Sequence, residues 1–153
     1  MSTPLKVLII DDSENDARLL VRRLEMSGFA PYWSRVETRE GLYAALDEGG
    51  WQVLLADLTL PGFSGQEALQ IWRDLDGPPV PDVVILDNRM PELSGLEVAR
   101  LILEERPSQL ILLYSAFLDD TVRARAQEIG ITRCVSKDEL DRLPRLIREL
   151  TSA

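Results

Sequence analysis

Val53-Leu54-Leu55-Ala56-Asp57 and, thirty positions later, Val83-Val84-Ile85-Leu86-Asp87 decide the fold of this chain. Each is a short apolar run that lacks the polar alternation of a half-exposed strand, so each predicts a strand covered on both faces, as in a parallel sheet. The residues after the two runs match as well. Pro61 and Pro91, Ser64 and Ser94, Gly65 and Gly95, and Glu67 and Glu97 stand at the same offset. Ser-x-x-Glu is a capping box, in which each side chain satisfies a backbone N–H at a helix start. A strand–turn–helix unit is therefore written twice, over 51–80 and 81–110, in copies that differ at most other positions.

Outward from this pair the pattern continues in both directions. Val7-Leu8-Ile9-Ile10 ends in Asp11-Asp12 and leads to a helix carrying Ala17, Leu20, Val21 and Leu24, stopped by Gly28. Tyr32 to Val36 predicts a weaker, edge-like second strand, and a helix with Leu42, Ala45 and Leu46 ends at Gly49-Gly50. Beyond the doubled unit, Leu110-Ile111-Leu112-Leu113 ends at Ser115-Ala116, and a helix through Val122, Ala126 and Ile129 stops at Gly130. Ile131 to Val135 predicts the last strand, with Lys137 just past it, and Pro144 should bend the terminal helix or delay its start. Strand–helix alternation of this kind gives an α/β doubly wound parallel sheet with helices on both faces, here a single domain over 1–153.

Composition narrows the function. The 153 residues, 45% hydrophobic and 28% charged, suit one globular domain, and no apolar run is long enough to cross a membrane. Met1 to Lys6 shows no signal-peptide pattern, and the single cysteine, Cys134, leaves no internal disulfide, so a reducing cytoplasm is the expected compartment. With no histidine, the chain supplies neither an imidazole base nor a His-based zinc site. A net charge of −9 repels a phosphate backbone, which argues against nucleic acid and for protein partners.

In an open parallel sheet the reactive site lies beyond the carboxyl ends of the strands. Asp11, Asp12, Asp57, Asp87, Ser115 and Lys137 all fall at such ends. Carboxylates gathered on one edge repel one another unless a cation joins them, and hard oxygen donors suit Mg²⁺. A carboxylate nucleophile, a cation, a lysine ammonium and a hydroxyl are also the groups that phosphoryl transfer needs. The bland alternatives are helix capping for Asp11-Asp12, a solvated lysine and an ordinary strand-end hydroxyl.

Taken together, Asp11-Asp12 after the first strand, an Asp followed by x-x-[Leu/Met]-Pro and Ser-Gly, then Ser115-Ala116 and Lys137, resemble the receiver domain of two-component response regulators, which has the flavodoxin-like fold. The resemblance spans the chain. It implies that Asp11 and Asp12, with Asp57, bind Mg²⁺, and that Asp57 or Asp87 takes a phosphoryl group from a histidine kinase or phosphotransfer protein. It makes Ser115 the switch hydroxyl and Lys137 the phosphate-sensing lysine. It also implies no enzymatic turnover beyond self-phosphorylation and self-dephosphorylation, and a downstream protein partner for output. Cys134 stands where the family usually has an aromatic switch residue, and Asp138 replaces a frequent proline.

The doubled unit departs from the family. Asp12 to Asp57 is 45 residues, the usual interval, and so is the 28 residues from Asp87 to Ser115. The front half thus expects Asp57 as acceptor and the back half expects Asp87. Right-handed crossovers predict six strands in the order 2-1-3-3′-4-5. The added strand should separate the acidic pair from Ser115 and Lys137 and leave an apolar gap between the first and last helices, favouring homodimerisation. Two receivers joined out of register would give such a chain. A second function therefore stands beside phospho-acceptance: a receiver-like scaffold that binds proteins with its phosphorylation site split. An aspartate-nucleophile phosphatase is weaker, since Thr59 and Arg89 occupy the positions where it needs a second Asp.

Overall fold

The computed structural model describes residues 2–11, 13–56, 70, 72–73, 81–88, 94–116 and 118–151. Six parallel strands form one sheet: β1 (Thr3–Ile10), β2 (Phe29–Val36), β3 (Val53–Ala56), β4 (Val83–Asp87), β5 (Leu110–Ser115) and β6 (Arg133–Ser136), in the order β2-β1-β3-β4-β5-β6. This is the predicted arrangement, with β4 as the 3′ strand. The two copies of the doubled run lie side by side, and Val53, Leu54, Leu55 and Ala56 each pair with the residue thirty positions on.

Every residue of β3 and β4 is buried, because both strands are central and covered on both faces. On one face, Val7, Ile9, Val53, Leu55, Val83, Ile85, Leu112 and Val135 pack under α1 (Glu14–Met26) and α5 (Leu143–Thr151). On the other, Leu8, Ile10, Leu54, Val84, Leu86, Ile111 and Leu113 pack under α2 (Arg39–Glu48), α3 (Gly95–Glu105) and α4 (Asp120–Ile129). The strict alternation along each strand assigns its residues to these two cores.

β2 starts three residues earlier than the sequence suggested. Pro31, which has no N–H to give to a ladder, lies inside the strand. However, Gly28 O and Val36 O accept bonds from the β1 side, at 2.9 and 3.3 Å, so the odd-numbered residues between them turn their backbone polar groups to the open edge. The N–H that Pro31 lacks would have faced solvent, and proline is tolerated there. Pro144 acts as expected by delaying the last helix: Lys137–Arg142 is a 3₁₀ segment, and Pro144 is the second residue of α5.

The first copy of the doubled unit is tied to the second. Gln70, Trp72 and Arg73 are helical, whereas the capping box read at Ser64 and Glu67 lies outside the described residues. The Trp72 indole N–H donates to Gln109 Oε1 at 3.1 Å, and Gln109 Nε2 donates to Pro81 O at 3.1 Å. Arg73 pairs with Glu105 of α3 at 3.0 Å. The capping box of the second copy is formed, Ser94 Oγ accepting from Glu97 N and Glu97 from Ser94 N. Ser94→Ala is expected to cost about 1 kcal/mol, measurable as a lower midpoint of urea unfolding.

The first and last helices pack on one face of the sheet, and space remains between them at the carboxyl end of the strands. Leu20 and Leu24 of α1 and Leu143 and Ile147 of α5 belong to one continuous cluster. At the carboxyl end of the strands a cavity of about 200 Å³ remains, lined by Asp11, Asp16, Leu19, Leu20, Leu55, Tyr114, Lys137 and Leu140.

Candidate functional site

The chemistry collects at the carboxyl ends of β1, β4, β5 and β6. Asp87 is the last residue of β4, only 3% exposed, and Lys137 follows β6 directly. Lys137 Nζ donates to Asp87 Oδ2 at 2.9 Å. The side chain of Asp87 is 4% exposed and that of Lys137 29%, so an almost buried carboxylate meets an ammonium that still touches water. Such a carboxylate needs this partner, because an isolated charge in the interior costs several kcal/mol. Lys137 Nζ also lies 5.5 Å from the centroid of the Tyr114 ring. Tyr114 is the register partner of Asp87, and the buried Ser115 comes next along β5.

The backbone after Asp87 is clamped to the start of α3. Gly95 N–H donates to Asn88 O and Leu96 N–H to Asn88 Oδ1, both at 3.2 Å. The approach is so close that a Cβ on Gly95 would lie 2.6 Å from Asp87 O and 2.9 Å from Asn88 Cα. Glycine is thus required here for space. The sequence showed Gly65 and Gly95 as a matched pair and as part of the Ser-Gly motif, and nothing in it pointed to this contact.

Asp11 directly follows β1 and is 2% exposed. Its Oδ1 accepts from Ser13 N at 2.9 Å, and its carbonyl accepts from Arg35 at 3.3 Å. The N-cap of α1 is Ser13, whose side chain accepts from Asp16 N. Asp11 is therefore not the helix cap, a role that sequence reasoning weighed for the acidic pair while passing over Ser13. Asp12 and Asp57, the other predicted metal carboxylates, lie outside the described residues.

The strand register measures how the sixth strand alters the site. Ile10 pairs with Ala56 and Ala56 with Leu86, so Asp11 and Asp87 are level with β3 between them. Two strand spacings separate their Cα atoms by about 10 Å. The structure brings together Asp87 and Lys137, with Ser115 one position past Asp87's partner, and holds Asp11 two strands away. Among the described residues, no group of three or more His, Cys, Asp or Glu side chains converges to hold a metal. Cys134, at the expected aromatic-switch position, is half-buried against the α2–α4 core, and burial pushes its thiol pKa up despite the nearby Arg123.

Comparison with known proteins identifies the family. The model of the response regulator receiver domain family matches residues 64–148, a segment that contains Asp87, Ser115 and Lys137. The transcriptional regulatory protein YkoG of Bacillus subtilis is 38% identical over 93 residues, covering 60% of this chain and 40% of that protein. The sensory transduction protein RegX3 of Mycobacterium tuberculosis is 33% identical over 92 residues, with the same coverage of 60% and 40%. The chain thus spans less than half the length of these curated relatives. Among solved structures, the BeF3-activated receiver domain of DrrB superposes with a TM-score of 0.59 at 19% identity, covering 100% of both chains, a likeness of fold. No helix among the described residues is long and apolar enough to cross a membrane. With its parallel α/β sheet, its strand-end aspartate and lysine, and a family match over more than half its length, the chain belongs to the response regulator receiver domain family.

Proposed function

We propose that this receiver accepts a phosphoryl group on Asp87 from a partner histidine kinase or phosphotransfer protein, with Lys137 and Ser115 meeting the transferred group. The observation that carries this reading is the 2.9 Å contact between Lys137 Nζ and Asp87 Oδ2. An Asp87 oxygen bonds to phosphorus as the phosphorus–nitrogen bond of the partner's phosphohistidine breaks, and the electron pair leaves with the imidazole nitrogen. Lys137 then transfers its hydrogen bond from the carboxylate to a phosphoryl oxygen, which carries more charge. The Ser115 hydroxyl donates to another phosphoryl oxygen. These 153 residues contain no histidine, so the phosphohistidine lies outside them.

Mg²⁺ is the ion that fits the donors. Asp11 offers hard carboxylate oxygen at a strand end, and Asp12 and Asp57 are its proposed co-ligands. Held there, such an ion would balance the charge of the acidic pair, two strands from Asp87. Signal output would pass to a protein partner, and the same site would hydrolyse its own acyl phosphate slowly.

A second reading draws support from the two-strand separation of Asp11 and Asp87: a scaffold that binds proteins without turning over phosphate. Intact-mass measurement after incubation with Mg²⁺ and a small phosphoryl donor decides between them. Phospho-acceptance predicts one phosphoryl added to the wild type, none to Asp87→Asn, and an addition retained by Asp57→Asn, if at a reduced rate. An unmodified wild type would favour the scaffold.

A further inference from the structure

We infer that Tyr114 is a positioning residue for phosphoryl acceptance: its ring holds the Lys137 ammonium across the end of β5, where it meets Asp87. The effect on rate rests on the phospho-acceptance reading, whereas the contact itself can be tested without a phosphoryl donor.

The topology gives Lys137 a strand to cross. Lys137 follows β6, Asp87 ends β4, and β5 lies between them. Two strand spacings amount to about 10 Å. Tyr114 is the β5 residue in that interval, in register with Asp87 on one side and with Val135 on the other. Its side chain is also on the right face. Val83, Ile85, Tyr114 and Val135 share the core under α1 and α5, and strand alternation puts Asp87 on the same side as Ile85. Lys137 therefore reaches Asp87 past the Tyr114 ring. Its Nζ stands 5.5 Å from the ring centroid and 2.9 Å from Asp87 Oδ2.

The two side chains differ in freedom. Lysine carries its charge on a flexible four-carbon stem, and the side chain of Lys137 is 29% exposed, so water competes for the ammonium. Tyr114 is 8% exposed and packed in one cluster with Leu20 and Val135, which fixes its ring. The ring attracts the ammonium through its quadrupole, more strongly where water is partly excluded. This attraction does not depend on the charge of Asp87. It keeps the ammonium at the strand end while the carboxylate becomes an acyl phosphate and the hydrogen bond passes to a phosphoryl oxygen.

A ring that only filled the core would lower stability when truncated, but would act independently of Lys137. The test therefore joins Tyr114→Phe, which keeps the ring, and Tyr114→Leu, which removes it, with Lys137→Met. With Mg²⁺ and a small phosphoryl donor, labelling of Asp87 should slow about three- to tenfold in Tyr114→Leu, and Tyr114→Phe should recover most of that loss. In the Lys137→Met background, Tyr114→Leu should slow labelling no further, as expected for two groups acting as a unit. In the unphosphorylated wild type, NMR should show cross-relaxation between the Lys137 Hε and Tyr114 ring protons, a measurement that needs no variant. Labelling of Tyr114→Leu at the wild-type rate, an equal slowing with and without Lys137, or no cross-relaxation would overturn the inference. A wild type that takes no label overturns the phospho-acceptance reading instead, and the cross-relaxation alone then decides whether the ring holds Lys137.

Discussion

Gly95→Ala is expected to destabilise the domain by about 3 kcal/mol, the upper range for adding a methyl to a packed interior. The new Cβ would stand 2.6 Å from Asp87 O, 2.9 Å from Asn88 Cα and 3.0 Å from Asp87 C, all of them backbone atoms that cannot rotate away. Relief requires moving either the start of α3 or the end of β4. The start of α3 is held by the capping box and by Asn88, which accepts from both Gly95 N and Leu96 N. The end of β4 carries Asp87, so the strain falls on the proposed acceptor, and phosphorylation should slow along with the loss of stability. Gly41→Ala is the control, because its added methyl would meet the Thr38 side-chain Oγ1 at 3.1 Å and no backbone. Urea unfolding of both variants checks this: a Gly95→Ala effect no larger than that of Gly41→Ala would contradict the close approach.

Lys137→Met is expected to have the second large effect. It leaves the Asp87 carboxylate, with a side chain only 4% exposed, without its ammonium. Breaking a fully buried pair costs about 3–5 kcal/mol. Lys137 is 29% exposed, so water can enter and the cost should fall to roughly 1–3 kcal/mol. Phosphoryl labelling should slow by about 10²-fold, as when one donor to a developing anion is removed. The double variant Asp87→Asn, Lys137→Met should recover part of the lost stability, because no carboxylate remains to be stranded. Thermodynamic cycles by urea unfolding measure that coupling, and strict additivity of the two substitutions would contradict a direct pair.

The sequence disclosed the sheet because its central strands are buried on both faces and so are written as unbroken apolar runs. The thirty-residue offset predicted the sixth strand, and the register of Val53 with Val83 reproduces it residue by residue. The partnership of Asp87 with Lys137 was legible from spacing, since the 28 residues from Asp87 to Ser115 match the family's interval and β4, β5 and β6 are neighbours in the sheet. The start of β2 was not legible, because the harmlessness of Pro31 depends on which side of the strand is open. The Trp72–Gln109–Pro81 connection joins residues far apart in the chain, and no local pattern announces it.

The phosphoryl site in a six-stranded receiver is tested most directly by a crystal structure of the chain grown with Mg²⁺ and beryllofluoride, which mimics a phosphoryl group on a carboxylate. The beryllium is expected bonded to an Asp87 oxygen, with Lys137 Nζ on one of its fluorides and Ser115 Oγ on another. Beryllium bonded instead to Asp57, with Lys137 still paired to Asp87, would contradict it.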